Sequence, residues 1–432
     1  MQRKKTPFTS QITEGYILLL LSAFLLFVGP GGYGRITENK LSFFIALTLA
    51  YLAALAFAVR REKPKLMPLT AEDACLLAYL LLSAVSALLS PYGKAVLLGA
   101  GRREGILVLL LYGFVYFAVS RFGNAERKLL YTLAVSLLIF SVIALLQMRG
   151  YDPFSLYPEG FNYFGAELDY SGSYIGTIGN TNLVSGFLTP VLPCLALYII
   201  LAKEDHWRFL LLPPLLGGFF VWWKMGAFGA YLGLGGVLLA LPFTAKSKRW
   251  KCIFGIGVVL LFASALISIY VFDFGGTALH EAHELLHGRI EDSFGSHRIY
   301  IWKEVLSLIR ERPLFGTGPD TLLFAGKGFY EYSERFGVEV FTAIDCAHNE
   351  YLNICVNQGV LALGAYLAML FTLAVKWAKR ADRDLRVCLL GAAILCYAVQ
   401  AFFEMSSPMT APFLWLCLGL LRRETEKKQS NP

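Results

Sequence analysis

The chain has 432 residues, of which 56% are hydrophobic and only 16% charged, with a mean hydropathy of +0.56. Soluble domains carry roughly a quarter charged residues, so this composition excludes an ordinary water-soluble globule and points to an integral membrane protein. The formal charge of +8 is explained by short basic segments between apolar runs, and no nucleic-acid partner is needed to account for it.

Apolar runs of about 15–25 residues recur from end to end, the length a helix needs to cross the hydrocarbon core. They predict an all-α polytopic fold of about twelve spans, near 16–30, 41–59, 71–89, 105–120, 129–147, 182–202, 209–223, 226–243, 252–272, 351–375, 387–403 and 408–421. The seventh and eighth are short enough for a re-entrant pair, and the twelfth is marginal. Most Lys and Arg fall in 1–16, 60–65, 121–128, 203–208, 246–251, 376–386 and the tail from Arg422. Short basic loops stay in the cytoplasm, so both termini are expected inside and the long polar segment after Tyr270 outside. The expected division is spans one to nine (1–272), an extracytoplasmic loop with amphipathic helices (273–350), and spans ten to twelve with a cytoplasmic tail (351–432). The basic start resembles a signal peptide, but no small-residue cleavage site follows, so the first span is read as retained. The eight cysteines are scattered, mostly within apolar runs and without metal-type spacing, as packing residues are.

The outer turn before the fourth span ends G-A-G-R-R-E-G, placing Arg102, Arg103 and Glu104 at the mouth of that span. Interface anchoring is the plain role; the functional one is an anionic headgroup, since guanidinium forks match phosphate oxygens in pairs. The loop over 148–181 mixes aromatics, Gly, carboxylates and amides, which suits a sugar and equally an interfacial belt. Asn180 and Asn182 open the sixth span, as helix caps or as substrate contacts. Lys224, between the seventh and eighth spans, is a snorkelling anchor or an anion contact.

The long loop contains H-E-A-H-E-L-L-H, in which His283, Glu284 and His287 satisfy the HExxH pattern of zinc proteases. That pattern fixes only three residues in a segment dense in His and Glu, including His280, and a plain polar helix explains it. An amphipathic helix is expected over 298–310, with His297 before it and Pro313 ending it. Gly316 and Gly318 mark a turn, and Pro319-Asp320-Thr321 is expected to open a membrane-lying helix over about 320–336. The chain re-enters at D-C-A-H-N-E-Y, putting His348 at or just before a helix N-terminus. A neutral imidazole is the side chain best suited to take a proton near pH 7.

Taken together, Arg298 with Trp302, the segment P-L-F-G-T-G-P at 313–319, and H-N-E-Y-L followed by Gly359-Val360 resemble the signature region of the O-antigen ligase and polymerase (Wzy-type) proteins. Upstream, G-T-I-G-N-T-N at 176–182 is similar to that family's G-T-x-G-N-P-N, with Thr181 in the Pro position. The resemblance implies a membrane glycosyltransferase of the GT-C type, located in the cell (inner) membrane. Such an enzyme passes a glycan from undecaprenyl diphosphate to an acceptor hydroxyl on a glycan, lipid or protein outside the cytoplasm. It implies His348 as the catalytic base and Arg298 as a diphosphate contact, with Arg103, Arg102 and Lys224 as further candidates. Asn180, Asn182, Asn349, Asp345 and Glu350 are candidate substrate contacts, Asp345 and Glu350 also as alternative bases. Where the family often carries S-R-G-A, this chain has Ala227-Phe228-Gly229-Ala230, so Phe stands in the Arg position and Lys224 is the nearest substitute. A glycosyl diphosphate brings its own activation, and its leaving group needs positive charge that Arg and Lys supply. No metal or cofactor is expected.

Ligase and polymerase differ only in the acceptor. Two readings of other classes are a transporter of a similar lipid, for which Glu404 near the outer end of the eleventh span is the one candidate relay carboxylate, and the zinc protease on His283 and His287.

Overall fold

Long apolar runs with few charges fold here into helices whose backbone groups are satisfied internally, as a bilayer requires. The computed structural model describes residues 6–65, 67–164, 174–333 and 338–427. Helix α1 (Phe8–Leu19) continues through a π-helical turn (Leu20–Phe24). It is followed by α2 (Ile36–Glu62), α3 (Ala71–Leu89), α4 (Ala95–Leu98), α5 (Ile106–Phe122), α6 (Arg127–Gln147), α7 (Thr181–Leu201) and α8 (Leu212–Met225). Then come α9 (Phe228–Gly233), α10 (Gly235–Thr244), α11 (Lys248–Val271), α12 (Thr277–Leu286) and α13 (Arg298–Glu311). The chain closes with α14 (Glu350–Gln358), α15 (Val360–Ala378), α16 (Leu385–Gln400) and α17 (Ala411–Glu426).

By length and composition six segments can cross a bilayer: Gly32–Glu62, Ala71–Leu89, Arg127–Gln147, Thr181–Leu201, Lys248–Val271 and Val360–Ala378. Shorter apolar helices lie at Ile106–Phe122, Phe228–Thr244 and Leu385–Gln400. The protein is a helical, multi-pass membrane protein; these lengths do not by themselves give the count of twelve. The sequence-marginal helix α17 is the most enclosed of all, packed on α5 and α16. Its Trp415 lies among the rings of Tyr79, Tyr112 and Tyr366 at centroid distances of 5.8–6.5 Å.

Two expectations are corrected. The run over 351–375 is not one helix: the chain breaks at Gly359, which joins α14 to α15 at φ 90. A Cβ there would sit 2.1 Å from the Leu314 carbonyl oxygen, so only glycine admits the close approach. The helix expected over about 320–336 is instead a 3₁₀ turn (Leu322–Ala325) and a hairpin of β3 (Gly328–Ser333) with β4 (Val338–Ala343), Gly328 opposite Ala343. F-Y-E-Y and V-E-V-F-T alternate with the period of a strand and are rich in strand-forming aromatic and β-branched residues; 334–337 lie outside the described residues. A second small hairpin pairs β1 (Tyr174–Ile175) with β2 (Gly179–Asn180).

One end of the bundle is tied by ion pairs. Asp73, in the first turn of α3, accepts from Arg121 at 2.8 and 3.1 Å, from Arg422 at 2.9 Å and from the Tyr116 hydroxyl at 3.1 Å. Glu72 accepts from Lys376 at 2.7 Å. These contacts join α3, α5, α15 and α17 where the chain has its buried Arg422.

Candidate active site

At the opposite end, three segments distant in sequence are laced together through backbone atoms. Thr317 and Gly318 donate their N–H groups to the carbonyls of Val356 and Asn357 (3.2 and 2.8 Å), and Val360 donates to Pro313 (2.8 Å). The Asn357 side-chain oxygen accepts from Thr321 and Leu322 (2.8 and 3.1 Å). The P-L-F-G-T-G-P segment is thereby clamped to α14. Asp320 then reaches the turn before α5: its carboxylate accepts the backbone N–H of Arg102 at 2.9 and 3.0 Å and of Glu104 at 3.2 Å. Gly99 leaves room for it, since a Cβ there would lie 2.1 Å from Asp320 Oδ2. Burial pushes the Asp320 carboxyl up to about 6, against the opposing pull of those N–H groups.

Held in this way, Arg102 places Nη2 at 3.0 Å from both oxygens of Asp345. Arg298, at the start of α13, donates Nη1 to the Gly295 carbonyl at 2.8 Å and Nη2 to the Phe403 carbonyl at 3.2 Å. His348 follows at φ 45, a left-handed conformation rare for a residue with a Cβ. Neighbouring contacts fix its backbone: Trp302 Nε1 donates to Ala347 O at 2.9 Å, and Ala347 N donates to the Asn353 side chain at 3.2 Å. Among the described residues, His348 Nδ1, Arg102 Nε and Arg298 Nε are buried without a hydrogen-bond partner. Burial, reinforced by the charges of Arg102 and Arg298 and opposed by Asp345, holds the His348 imidazole well below its ordinary pKa. It is therefore neutral at pH 7, with a lone pair to offer.

Glu404 completes the cluster. Both its oxygens are buried without a hydrogen-bond partner, and burial lifts its carboxyl to about 8 against the pull of Arg298 and Arg102. A carboxylic acid in this state holds its proton at pH 7. Glu404 and Gln400 also line the polar end of an apolar cavity of about 840 Å³ that runs between α6, α7, α16 and α17. Nearby Glu104 is buried as well, accepting from Tyr112 and Ser406 at 2.8 Å each, and burial raises it to about 8.

The other expected site residues divide. Asn349 caps α14 by accepting from Leu352 N at 3.0 Å, and Glu350 is buried between the hydroxyls of Tyr366 (2.7 Å) and Tyr397. Asn180 caps α7, accepting from Asn182 N at 3.0 Å and Leu183 N at 3.4 Å, whereas Asn182 lines the cavity. These local bonds occupy the side chains of Asn349, Glu350 and Asn180. Arg103 turns away to Glu38 at 3.5 Å. Lys224 is exposed at the end of α8, its ammonium over the rings of Phe220 and Trp223. Phe228 packs on Phe403, ring centroids 6.3 Å apart, one residue from Glu404. Of the sugar-suited loop, residues 165–173 lie outside the described residues.

Two clusters bear on metal. Asp345, Cys346 and His348 each offer a ligand atom within 4.8 Å of the others, and Arg102 is paired with that carboxylate. On α12, His283 Nδ1 is bonded to the Ile269 carbonyl at 2.7 Å, His287 Nδ1 to the His283 carbonyl at 2.8 Å, and Glu284 is paired with Arg289. The base that an HExxH site would need is thus engaged in an ion pair. His297 stacks on Phe329.

Sequence reasoning missed Asp320 as the strap on Arg102, and weighed Glu404 only as a transport relay. The signal for Asp320 was its place after a Gly-x-Gly-Pro turn, where a short acidic side chain bonds nearby backbone N–H groups.

Fold and cluster together define a multi-pass membrane protein with a half-buried imidazole, two half-buried guanidiniums and a buried carboxyl at one end of the bundle. Residues 226–367 match the O-antigen ligase family (Wzy_C), a stretch containing Arg298, Asp320, Asp345 and His348. That match, over about a third of the chain, supports membership of the O-antigen ligase/polymerase family. No curated protein matches the chain.

Proposed function

We propose that the protein transfers a glycan from undecaprenyl diphosphate to an acceptor hydroxyl on the extracytoplasmic side of the inner membrane, as an O-antigen ligase. The chain would span the membrane about twelve times with both termini in the cytoplasm, in line with its basic short loops. The observation that carries the reading is the convergence of His348 Nδ1, Arg102 Nε and Arg298 Nε, buried atoms with unused valences, beside a long apolar cavity.

In this reading the diphosphate lies against Arg102 and Arg298, whose guanidiniums offset the negative charge that builds on the leaving oxygen. His348 accepts the proton of the acceptor hydroxyl as that oxygen bonds to the anomeric carbon. The bond from that carbon to the phosphate oxygen breaks, undecaprenyl diphosphate leaves, and the anomeric centre is inverted. His348 is suited to the task because it is neutral at pH 7. Arg103 and Lys224 act at most as outlying charges. The isoprenoid tail enters the cavity from the Glu404 end. A repeat-unit polymerase of the same family would use the same step with a lipid-linked glycan as acceptor.

The size distribution of undecaprenyl-linked glycan, compared in cells with and without the protein, tests this. Full-length chains stranded on the lipid and missing from their final acceptor are the result expected of a ligase. Single repeat units accumulating on the lipid would indicate the polymerase instead. An unchanged distribution and an unchanged acceptor would overturn transfer altogether.

A further inference from the structure

The cavity between α6, α7, α16 and α17 has a second mouth, far from His348. Its wall follows α7 from Asn182 to Leu201, about 28 Å at the helical rise of 1.5 Å per residue, close to the roughly 30 Å thickness of a hydrocarbon core. Between the two ends the lining is apolar, with Leu133, Phe187, Leu390 and Phe413 among its walls. At the far end it meets a hollow of about 530 Å³ lined by Asn124, Glu126, Arg127, Lys128, Arg386 and Lys427. Glu126, Arg127 and Arg386 line both spaces, so the apolar channel opens directly onto a basic vestibule.

The vestibule's bases are held in place by carboxylates. Arg127 lies 3.2 Å from Asp205, Lys427 is 2.5 Å and Arg386 3.8 Å from Glu424, and Lys128 is 3.3 Å from Glu126 and also bonded to Glu14. Even so, the side chains of Arg127 and Arg386 remain 62% and 54% exposed. Their open N–H groups are available to a further anion.

We propose that this mouth binds an anionic glycerophospholipid of the bilayer, its phosphate on Arg127 and Arg386 and one acyl chain in the apolar channel. Two features select this occupant. A hydrocarbon core holds two acyl layers, so one chain fills only about half of a channel of this length, leaving the Glu404 half to a lipid entering from the His348 side. The carboxylates offset much of the basic charge, so a singly charged phosphodiester suits the vestibule better than the doubly charged monoester of a polyprenyl phosphate. The lipid would act as a structural wedge between α6 and α16 and would limit how deeply a tail from the other mouth can reach.

Native mass spectrometry of the full-length, delipidated protein tests this with three separate probes: phosphatidylglycerol, phosphatidylcholine and undecaprenyl phosphate. The expected result is saturable phosphatidylglycerol binding at least tenfold tighter than phosphatidylcholine, and tighter than undecaprenyl phosphate. In the Arg127→Gln/Arg386→Gln double variant that preference should fall at least fivefold; should the double variant not fold, Arg386→Gln alone should show a smaller fall of the same sign. Leu390→Trp, which obstructs the channel and leaves the vestibule intact, should weaken phosphatidylglycerol binding with the charges unchanged. Equal binding of the two phospholipids, a folded charge variant that binds phosphatidylglycerol as the wild type does, or undecaprenyl phosphate binding more tightly would each overturn the assignment.

Discussion

The two ends of the bundle handle charge differently. Around Asp73 a carboxylate is saturated by Arg121, Arg422, Tyr116 and the Thr70 N–H, and α3, α5 and α17 are tied together by it. Around His348 the charges are less enclosed, the side chains of Arg102 and Asp345 being 23% and 32% exposed; Glu404 has both oxygens unpartnered, and Arg102, Arg298 and His348 each keep an unused nitrogen. A buried polar group without a partner costs on the order of 1–3 kcal/mol, so a cluster of them makes physical sense where a ligand completes the set. At the Asp73 end paired charge builds the frame, with Glu72 Oε2, Arg422 Nε and Arg423 Nε left over; at the other end the unpartnered groups surround the imidazole, where a substrate would complete them.

Substitutions can separate these two uses of charge. The largest effect is expected at His348: His348→Ala removes the base and should lower transfer by about 10²–10⁴-fold, with the melting temperature of the protein held. Arg102→Gln leaves Asp345 without its cation and the leaving group without a charge, and transfer should fall about 10²–10³-fold. At the other end, Arg422→Met removes one cation beside Asp73 and Glu72, which keep Arg121 and Lys376. Leaving a buried charge uncompensated costs about 3–5 kcal/mol, and the remaining cations reduce that loss; it is read as a lower melting temperature and lower yield, while the activity per folded molecule stays near wild type. If Arg422→Met lost activity without losing stability, the contrast between the two ends would fail.

A subtler effect follows from Asp320. Ionised, it holds the Arg102 turn through backbone N–H groups; as pH falls through its raised value of about 6 it gains a proton and loses accepting power. Transfer should therefore weaken below about pH 6, before the His348 base is lost, because the imidazole protonates only at lower pH. Asp320→Asn, neutral at every pH, should be a few-fold slower at pH 7.5 and should show no limb near pH 6 in a rate profile. For stability the sign is opposite to that of a salt-bridged carboxylate. The folded-state pKa lies above the unfolded one, so the Asp320 contribution is full below the unfolded value and is lost as pH rises through about 6. The smallest effect is expected at Lys224, exposed over two aromatic rings; Lys224→Gln should change transfer by less than about twofold, as surface substitutions usually do.

Much of the fold was legible in the chain because hydrocarbon length and basic loops are strong physical constraints. The helices around 71–89, 105–120 and 129–147 lie close to where the apolar runs end. The hairpin over 328–343 was hidden because short aromatic runs satisfy a membrane-lying helix and a strand almost equally well. Gly359 was legible as part of a motif, but its role in breaking a helix depends on the Leu314 carbonyl, a contact no local pattern reveals. Arg298 and His348 were carried over from the resemblance, which left Arg103 and Arg102 as alternatives; the structure sets Arg102 on Asp345 and turns Arg103 to Glu38. Asp320 was not anticipated, since a carboxylate that accepts backbone N–H groups more than two hundred residues away leaves no periodic trace. The amides of Asn180 and Asn349 were ambiguous between cap and ligand, and the structure places both as caps.

The most direct test of the account is a transfer assay with purified protein, using an undecaprenyl-diphosphate-linked glycan and a hydroxyl-bearing acceptor, comparing wild type with His348→Ala. Melting temperature is recorded on the same samples. The account predicts glycan transfer by the wild type and its loss by at least about a hundredfold in a variant that melts where the wild type does. Transfer by an equally stable His348→Ala protein at the wild-type rate would contradict it.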